Sequence, residues 1–140
     1  MLILEDTMKE IADVIITTDD GTYGTHGKVT DAIETLFTKG VTFDAAFVIG
    51  PAMMMKFTTQ KTIEKNIPTV ASLNPIMIDG TGMCGGCRVT VGGKTKFACV
   101  DGPEFDAAGI DWDELIMRLN GYKQFEAEKT AHHCKLEGMK

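Results

Sequence analysis

Asp79-Gly80-Thr81-Gly82-Met83-Cys84-Gly85-Gly86-Cys87 is the stretch on which the reading of this chain turns. Two residues separate Cys84 from Cys87, and eleven separate Cys87 from Cys99. Thiolates at i and i+3 in a tight loop can grip one iron, and a later strand can return a third. The interleaved glycines allow the backbone conformations such a loop needs and let its N–H groups face bridging sulfides. Hydrogen bonds of that kind also tune a cluster's potential. The loop reads as a holder for a metal–sulfur cluster. Its plainer readings are buried thiols or a structural zinc knuckle. Cys-x2-Cys is a common zinc half-site, and His132-His133-Cys134 can supply distant ligands. Zinc knuckles usually pair two matched half-sites, which favours the cluster.

Outward from this loop, the composition is that of one ordinary soluble domain: 140 residues, 44% hydrophobic and 24% charged. A net charge of −6 with no basic run argues against a nucleic-acid binder. No apolar stretch approaches the roughly 20 residues of a membrane-spanning helix. The first residues lack the charged and apolar regions of a signal peptide. Four cysteines, three of them between residues 84 and 99, suit a metal site better than a disulfide framework, and the expected location is the cytoplasm.

Before the loop, apolar Leu2, Ile3, Leu4, Met8, Ile11 and Ala12 predict a short, poorly capped helix or a frayed lead-in. Val14–Thr18 is a β-branched run ending at Asp19-Asp20-Gly21, a strand feeding a turn. Thr30 or Asp31 can cap the helix that follows, with Ile33, Leu36 and Phe37 on one side and Gly40 as its stop. Ala45–Ile49 reads as a strand buried on both faces, ended by Gly50-Pro51. A helix from about Ala52 to Lys65 and a strand at Thr69–Leu73 complete the rhythm of a parallel α/β sheet. After the loop, Arg88–Val91 and Lys94–Cys99 flank Gly92-Gly93 as a hairpin. Asp111–Tyr122 reads as a closing helix, with Trp112, Leu115, Ile116 and Leu119 on one face and Trp112 and Tyr122 as packing residues.

The expected fold is therefore α/β. A partial parallel-sheet nucleotide-binding unit over residues 1–73 precedes a cluster-binding module with a β-hairpin and a closing helix over 74–125. Residues 126–140 form a polar tail in which Cys134 is a free thiol. No glycine-rich phosphate loop precedes Val14, so either the N-terminal part of this unit is missing or the nucleotide reading is wrong.

Thr18 to Asp31 (TDDGTYGTHGKVTD), Val48-Ile49-Gly50-Pro51 followed by Met53-Met54, and Asp-x4-Cys-x2-Cys-x11-Cys occur in that order. Together they resemble the C-terminal part of ferredoxin–NADP reductase-like flavoproteins that carry a C-terminal [2Fe–2S] module. That family includes the electron-transfer subunit of dihydroorotate dehydrogenase and the small subunit of NADH-dependent ferredoxin:NADP oxidoreductase. The resemblance covers nearly all of residues 1–125. The dihydroorotate-dehydrogenase pattern has a cysteine where this chain has Asp79, whereas the transhydrogenase small subunit uses one aspartate and three cysteines. The resemblance thus implies Asp79, Cys84, Cys87 and Cys99 as cluster ligands. An aspartate oxygen, harder than thiolate, should alter the potential.

It also implies a bound NAD(P) beside Asp19, Asp20, Gly21, Tyr23 and Gly24, and beside Gly50, Pro51 and Met53. Both groups stand at strand carboxyl ends, where open α/β sheets bind ligands. The plain readings are a strand-to-helix turn for the first group and a Pro-favoured helix start for the second. Met53, Met54 and Met55 divide between core and site wall, and His26 reads as an exposed loop residue. The family places FAD in an N-terminal barrel and passes electrons between pyridine nucleotide, flavin and a larger flavin/iron–sulfur partner subunit. On that reading the 140-residue chain alone is inactive. The competing expectations are a non-catalytic zinc-binding interaction module, separable by metal content, and the NAD-linked γ subunit of a soluble hydrogenase.

Overall fold

The computed structural model describes residues 3–130; Leu2 and the His132-His133-Cys134 donors lie outside the described residues. The chain opens with a short helix, α1 (Glu5–Lys9), which starts at Leu4 without a side-chain cap. The strand expected from Val14 shrinks to β1 (Thr17–Thr18), paired in parallel with β2 (Thr25–His26). No sheet among the described residues lies against the earlier part of the run, and Ile15 stays exposed. α2 (Val29–Thr38), with Lys28 at its N-cap, begins two or three residues earlier than Thr30 or Asp31 would place it. Asp31 acts from within the helix, its carboxylate accepting the Lys28 N–H at 2.7 Å. Gly40, at φ 78°, ends this helix as expected.

β3 (Ala46–Ile49), α3 (Ala52–Glu64) and β4 (Thr69–Ser72) form the expected strand–helix–strand unit, with β3 and β4 parallel from Ala46↔Thr69 to Ile49↔Ser72. Pro51, at the helix N-cap, pre-sets the chain for α3. β3 is not buried on both faces: Phe47 is 75% exposed and Ile49 72%, while Val48 enters the core. Only one side of this strand is covered by helix, and it is an edge strand, so alternate residues meet solvent.

Downstream, β5 (Arg88–Val91) and β6 (Lys94–Phe97) pair antiparallel from Arg88↔Phe97 to Val91↔Lys94. Gly92 and Gly93 both take positive φ in the two-residue turn between them, as a type I′ connection requires. The second hairpin strand stops at Phe97, and Cys99 sits instead on a helical turn, α4 (Ala98–Asp101). Asp101 explains the change, since its carboxylate accepts the Phe97 N–H at 2.7 Å and tucks the chain into that turn. β7 (Glu104–Asp106) then returns to pair antiparallel with β4, Val70 opposite Asp106 and Ser72 opposite Glu104. The main sheet is thus β3-β4-β7, two parallel strands and one antiparallel. Its third strand comes from beyond the cysteine loop rather than from Val14.

A 3₁₀ turn (Ala107–Gly109) leads to α5 (Trp112–Asn120), capped by the Asp111 carboxylate on the Glu114 N–H at 2.9 Å. A final helix, α6 (Lys123–Thr130), takes up the beginning of the expected tail. One hydrophobic core joins Val48, Met55, Ala71 and Leu73 to Cys87, Val89, Phe105, Trp112 and Leu115. α3 contributes Thr58, Thr59 and Thr62 to its buried side, and the Thr69 and Thr62 hydroxyls bond there at 2.7 Å. Lys56 of α3 pairs with Asp113 of α5 at 2.6 Å across the surface. The cysteine loop is therefore seated on α5 and the hairpin, not suspended from a terminus.

Candidate functional site

The Asp79–Cys87 loop folds back on itself through Asp79. Its Oδ1 accepts the Thr81 N–H at 2.9 Å and its Oδ2 accepts the Cys84 N–H at 3.2 Å. These donors, the Thr81 amide foremost, hold the carboxyl pKa below the usual carboxylate range, so Asp79 is an anion at neutral pH. Gly82, at φ 82°, brings the backbone against the side of Val100. A Cβ there would stand 3.1 Å from Val100 Cγ2 in a conformation L-residues rarely adopt.

The sulfurs are arranged differently from the i, i+3 pairing expected of the loop. Cys87 and Cys99 are hydrogen-bonded sulfur to sulfur at 3.2 Å, with Cys87 buried. Two thiolates about 2.3 Å from one tetrahedral metal ion stand roughly 3.7 Å apart, so this pair is nearly in place. The Cys99 backbone N–H favours the thiolate of Cys87, whereas the Cys87 sulfur pushes the Cys99 thiol up. Cys84 is exposed, turned to its own loop, where its Sγ accepts the Gly86 N–H at 3.4 Å. Of the four candidate donors, Cys87 and Cys99 meet sulfur to sulfur, while the Asp79 carboxylate contacts Cys84 through the backbone N–H. Among the described residues, no three His, Cys, Asp or Glu side chains converge.

Beside Cys84 lies a groove of about 380 Å³ lined by Ile76, Ile78, Gly86, Leu115 and two cations, Arg88 and Arg118. Sequence reasoning passed over both arginines. Arg118 is legible in retrospect, one helical turn from Leu115 on the face that packs toward the loop.

A second, larger cleft of about 760 Å³ opens where the carboxyl ends of β1 and β3 meet α2 and α3. Asp19, Pro51 and Met53 line it. It also takes Thr17 from β1, Lys28 and Thr30 from the start of α2, and Phe57, Gln60 and Lys61 from α3, none of them read as site residues from sequence. Met53, Phe57, Gln60, Lys61 and Glu64 recur at helical spacing, which is the signal that could have found that wall. The remaining candidates are engaged elsewhere. Asp20 accepts the Thr22 N–H and hydroxyl at 3.0 and 2.8 Å, and these bonds lower its pKa. The Tyr23 hydroxyl donates to Glu5 of α1 at 2.9 Å. Gly21 packs on His26, and Gly50 faces Met54. Gly24, at φ 68°, lies so close to β1 that a Cβ would stand 2.4 Å from the Ile16 carbonyl oxygen. Gly24→Ala is therefore expected to destabilise the chain by about 1–3 kcal/mol in urea denaturation, whatever the cleft binds.

Residues 74–111, which include Asp79 and all three cysteines, match the model of the iron–sulfur cluster binding domain of dihydroorotate dehydrogenase B. The chain carries that domain. It is also a homologue of dihydroorotate dehydrogenase B electron-transfer subunits. It is 56% identical over 137 residues to the Thermotoga maritima homolog of that subunit, covering 98% of this chain and 48% of that protein. It is 34% identical over 116 residues to the Streptococcus mutans subunit, covering 80% and 43%. Among solved structures it matches a chain of the NADH-dependent reduced ferredoxin-NADP oxidoreductase, studied for flavin-based electron bifurcation. That match has 54% identity and a TM-score of 0.78, and covers 90% of this chain and 45% of that one. The chain spans about half the length of the curated relatives it matches. The α/β class with a partial parallel sheet stands with these matches, and no helix among the described residues is long and apolar enough to cross a membrane.

Proposed function

We propose that this chain is the nucleotide- and cluster-bearing part of an electron-transfer subunit, in a cytoplasmic NAD(P)H oxidoreductase that uses FAD and a [2Fe–2S] cluster. The observation that carries the reading is the Cys87–Cys99 sulfur contact at 3.2 Å inside the matched domain, on a loop whose Asp79 carboxylate accepts the Thr81 and Cys84 backbone N–H groups. When bound, a [2Fe–2S] cluster takes and returns single electrons, while a nicotinamide exchanges two with a flavin as hydride. Cys87 and Cys99 would hold one iron, and Asp79 and Cys84 the other. Asp79 is kept anionic by the Thr81 and Cys84 amides, so it needs no deprotonation to ligate. Val100 and Ile78 lie beside Gly82 and Gly86, where an added Cβ would stand 3.1 and 3.2 Å from them.

The 760 Å³ cleft is the proposed nucleotide site. Lys28 and Lys61 offer ammonium groups to phosphate oxygens, and Pro51 and Met53 give a flat apolar wall. In this reading Asp20, Gly21, Tyr23, Gly24 and Gly50 shape the loops that carry Asp19 and Pro51. The module of residues 74–125 presents the cluster to a larger flavin/iron–sulfur partner subunit. The exposed face of β3, with Phe47 and Ile49, suits contact with further polypeptide such as an FAD-binding barrel.

The test is anaerobic purification with iron, sulfide and zinc quantified on one sample alongside its visible spectrum. About two irons and two sulfides per chain, with a brown colour, are expected; one zinc without sulfide would overturn the reading in favour of a structural knuckle. Residues 1–140 alone are expected to show negligible NAD(P)H oxidation with added FAD. Turnover at an ordinary enzymatic rate, about 1 s⁻¹ or more, would contradict this.

A further inference from the structure

Arg118 stands in the last turn of α5, half-buried, and its Nη2 donates to the Gly86 carbonyl oxygen at 3.2 Å. That carbonyl belongs to the peptide unit joining Gly86 to Cys87, so the bond is made to the backbone between two candidate ligands. Because C=O and N–H of one peptide unit point opposite ways, holding Gly86 O toward α5 turns the Cys87 N–H away from it. The base of this contact is firm: α5 is capped by Asp111, and Trp112 and Leu115 are buried in the core. A carbonyl satisfies the guanidinium's hydrogen bond without neutralising its charge. Arg118 therefore leaves a fixed cation beside the Cys84–Cys87 turn, where it lines the groove together with Cys84 and Arg88.

Reduction makes a cluster one unit more negative, and a fixed cation nearby stabilises the more negative state. We propose that Arg118 is a positioning residue of the cluster loop that also raises the cluster's reduction potential. The assignment rests on the cluster reading above and adds the residue that sets the loop's shape and charge.

Arg118→Met and Arg118→Lys, in the anaerobically purified cluster-loaded chain, provide the test. Iron and sulfide are counted first, and the reduced fraction is then followed by dye-equilibrated redox titration. Both variants are expected to hold the cluster. Arg118→Met should lower the reduced-to-oxidised ratio at fixed potential about tenfold, which is 59 mV for one electron, and Arg118→Lys should recover most of that shift. If Arg118→Met loses the cluster while Arg118→Lys keeps it, the requirement for the cation is established more directly. Unchanged potential in Arg118→Met, or equal shift or equal cluster loss in both variants, overturns the proposal. Absence of iron and sulfide from the unmutated chain is a different failure, that of the cluster reading itself.

Discussion

Cys99→Ser is expected to lower bound iron from about two per chain to below about a tenth of that, with loss of the visible absorbance. Cys99 is the residue that α4 delivers to the Cys87 sulfur, at 3.2 Å, from twelve residues downstream. A serine hydroxyl is a hard, weakly acidic donor that does not replace thiolate at iron under neutral conditions. The fold should survive the change, because Cys99 is only partly buried and its replacement is close in size. Unchanged circular dichroism with iron lost is therefore the predicted combination. Asp79→Ala should cost less, since the three thiols remain and water can take the vacated position. Full iron retention in Cys99→Ser would show that the Cys87–Cys99 pair is not a ligand pair and would move the cluster elsewhere on the loop.

Leu115→Ala should destabilise the chain by about 2–5 kcal/mol, the usual cost of removing a fully buried leucine and leaving a cavity. Leu115 is 2% exposed and lies where α5, β5 and the cysteine loop meet, within one core cluster with Cys87 and Trp112. The loss is measured by urea unfolding of the cluster-free chain, with Trp112 fluorescence as the probe, since it is the single tryptophan. A second consequence separates this site from an ordinary core position. The cavity would open beneath the groove beside Cys84, so the cluster-loaded variant should also lose its iron faster to a chelator. A loss under about 1 kcal/mol would mean that the neighbouring side chains refill the space.

Local chemistry explains why the cluster loop was readable. A cysteine–glycine pattern constrains ligand type and backbone conformation within nine residues, and neither needs a partner from elsewhere. The same holds for the Gly92-Gly93 hairpin and the Gly40 stop, each of which works within one or two turns of chain. Val14–Thr18 and Ala45–Ile49 mark where local chemistry stops. Both runs have the composition of buried strands, but burial depends on what covers them. Among the described residues β1 has only β2 beside it, and β3 has an open face at Phe47 and Ile49.

The sequence by itself determined the chemistry of the loop, the α/β alternation and the hairpin, because periodicity, turn residues and donor type are properties of adjacent positions. Only the tertiary structure decided that β7 closes the sheet against β4, and that Cys87 meets Cys99 rather than Cys84. It also decided that Lys28 and Lys61 share a cleft with Asp19 and that Arg118 reaches Gly86. Each of these joins residues 9 to 42 positions apart, or strands 30 or more apart, and is selected by the burial of one common core, which no window of local sequence contains.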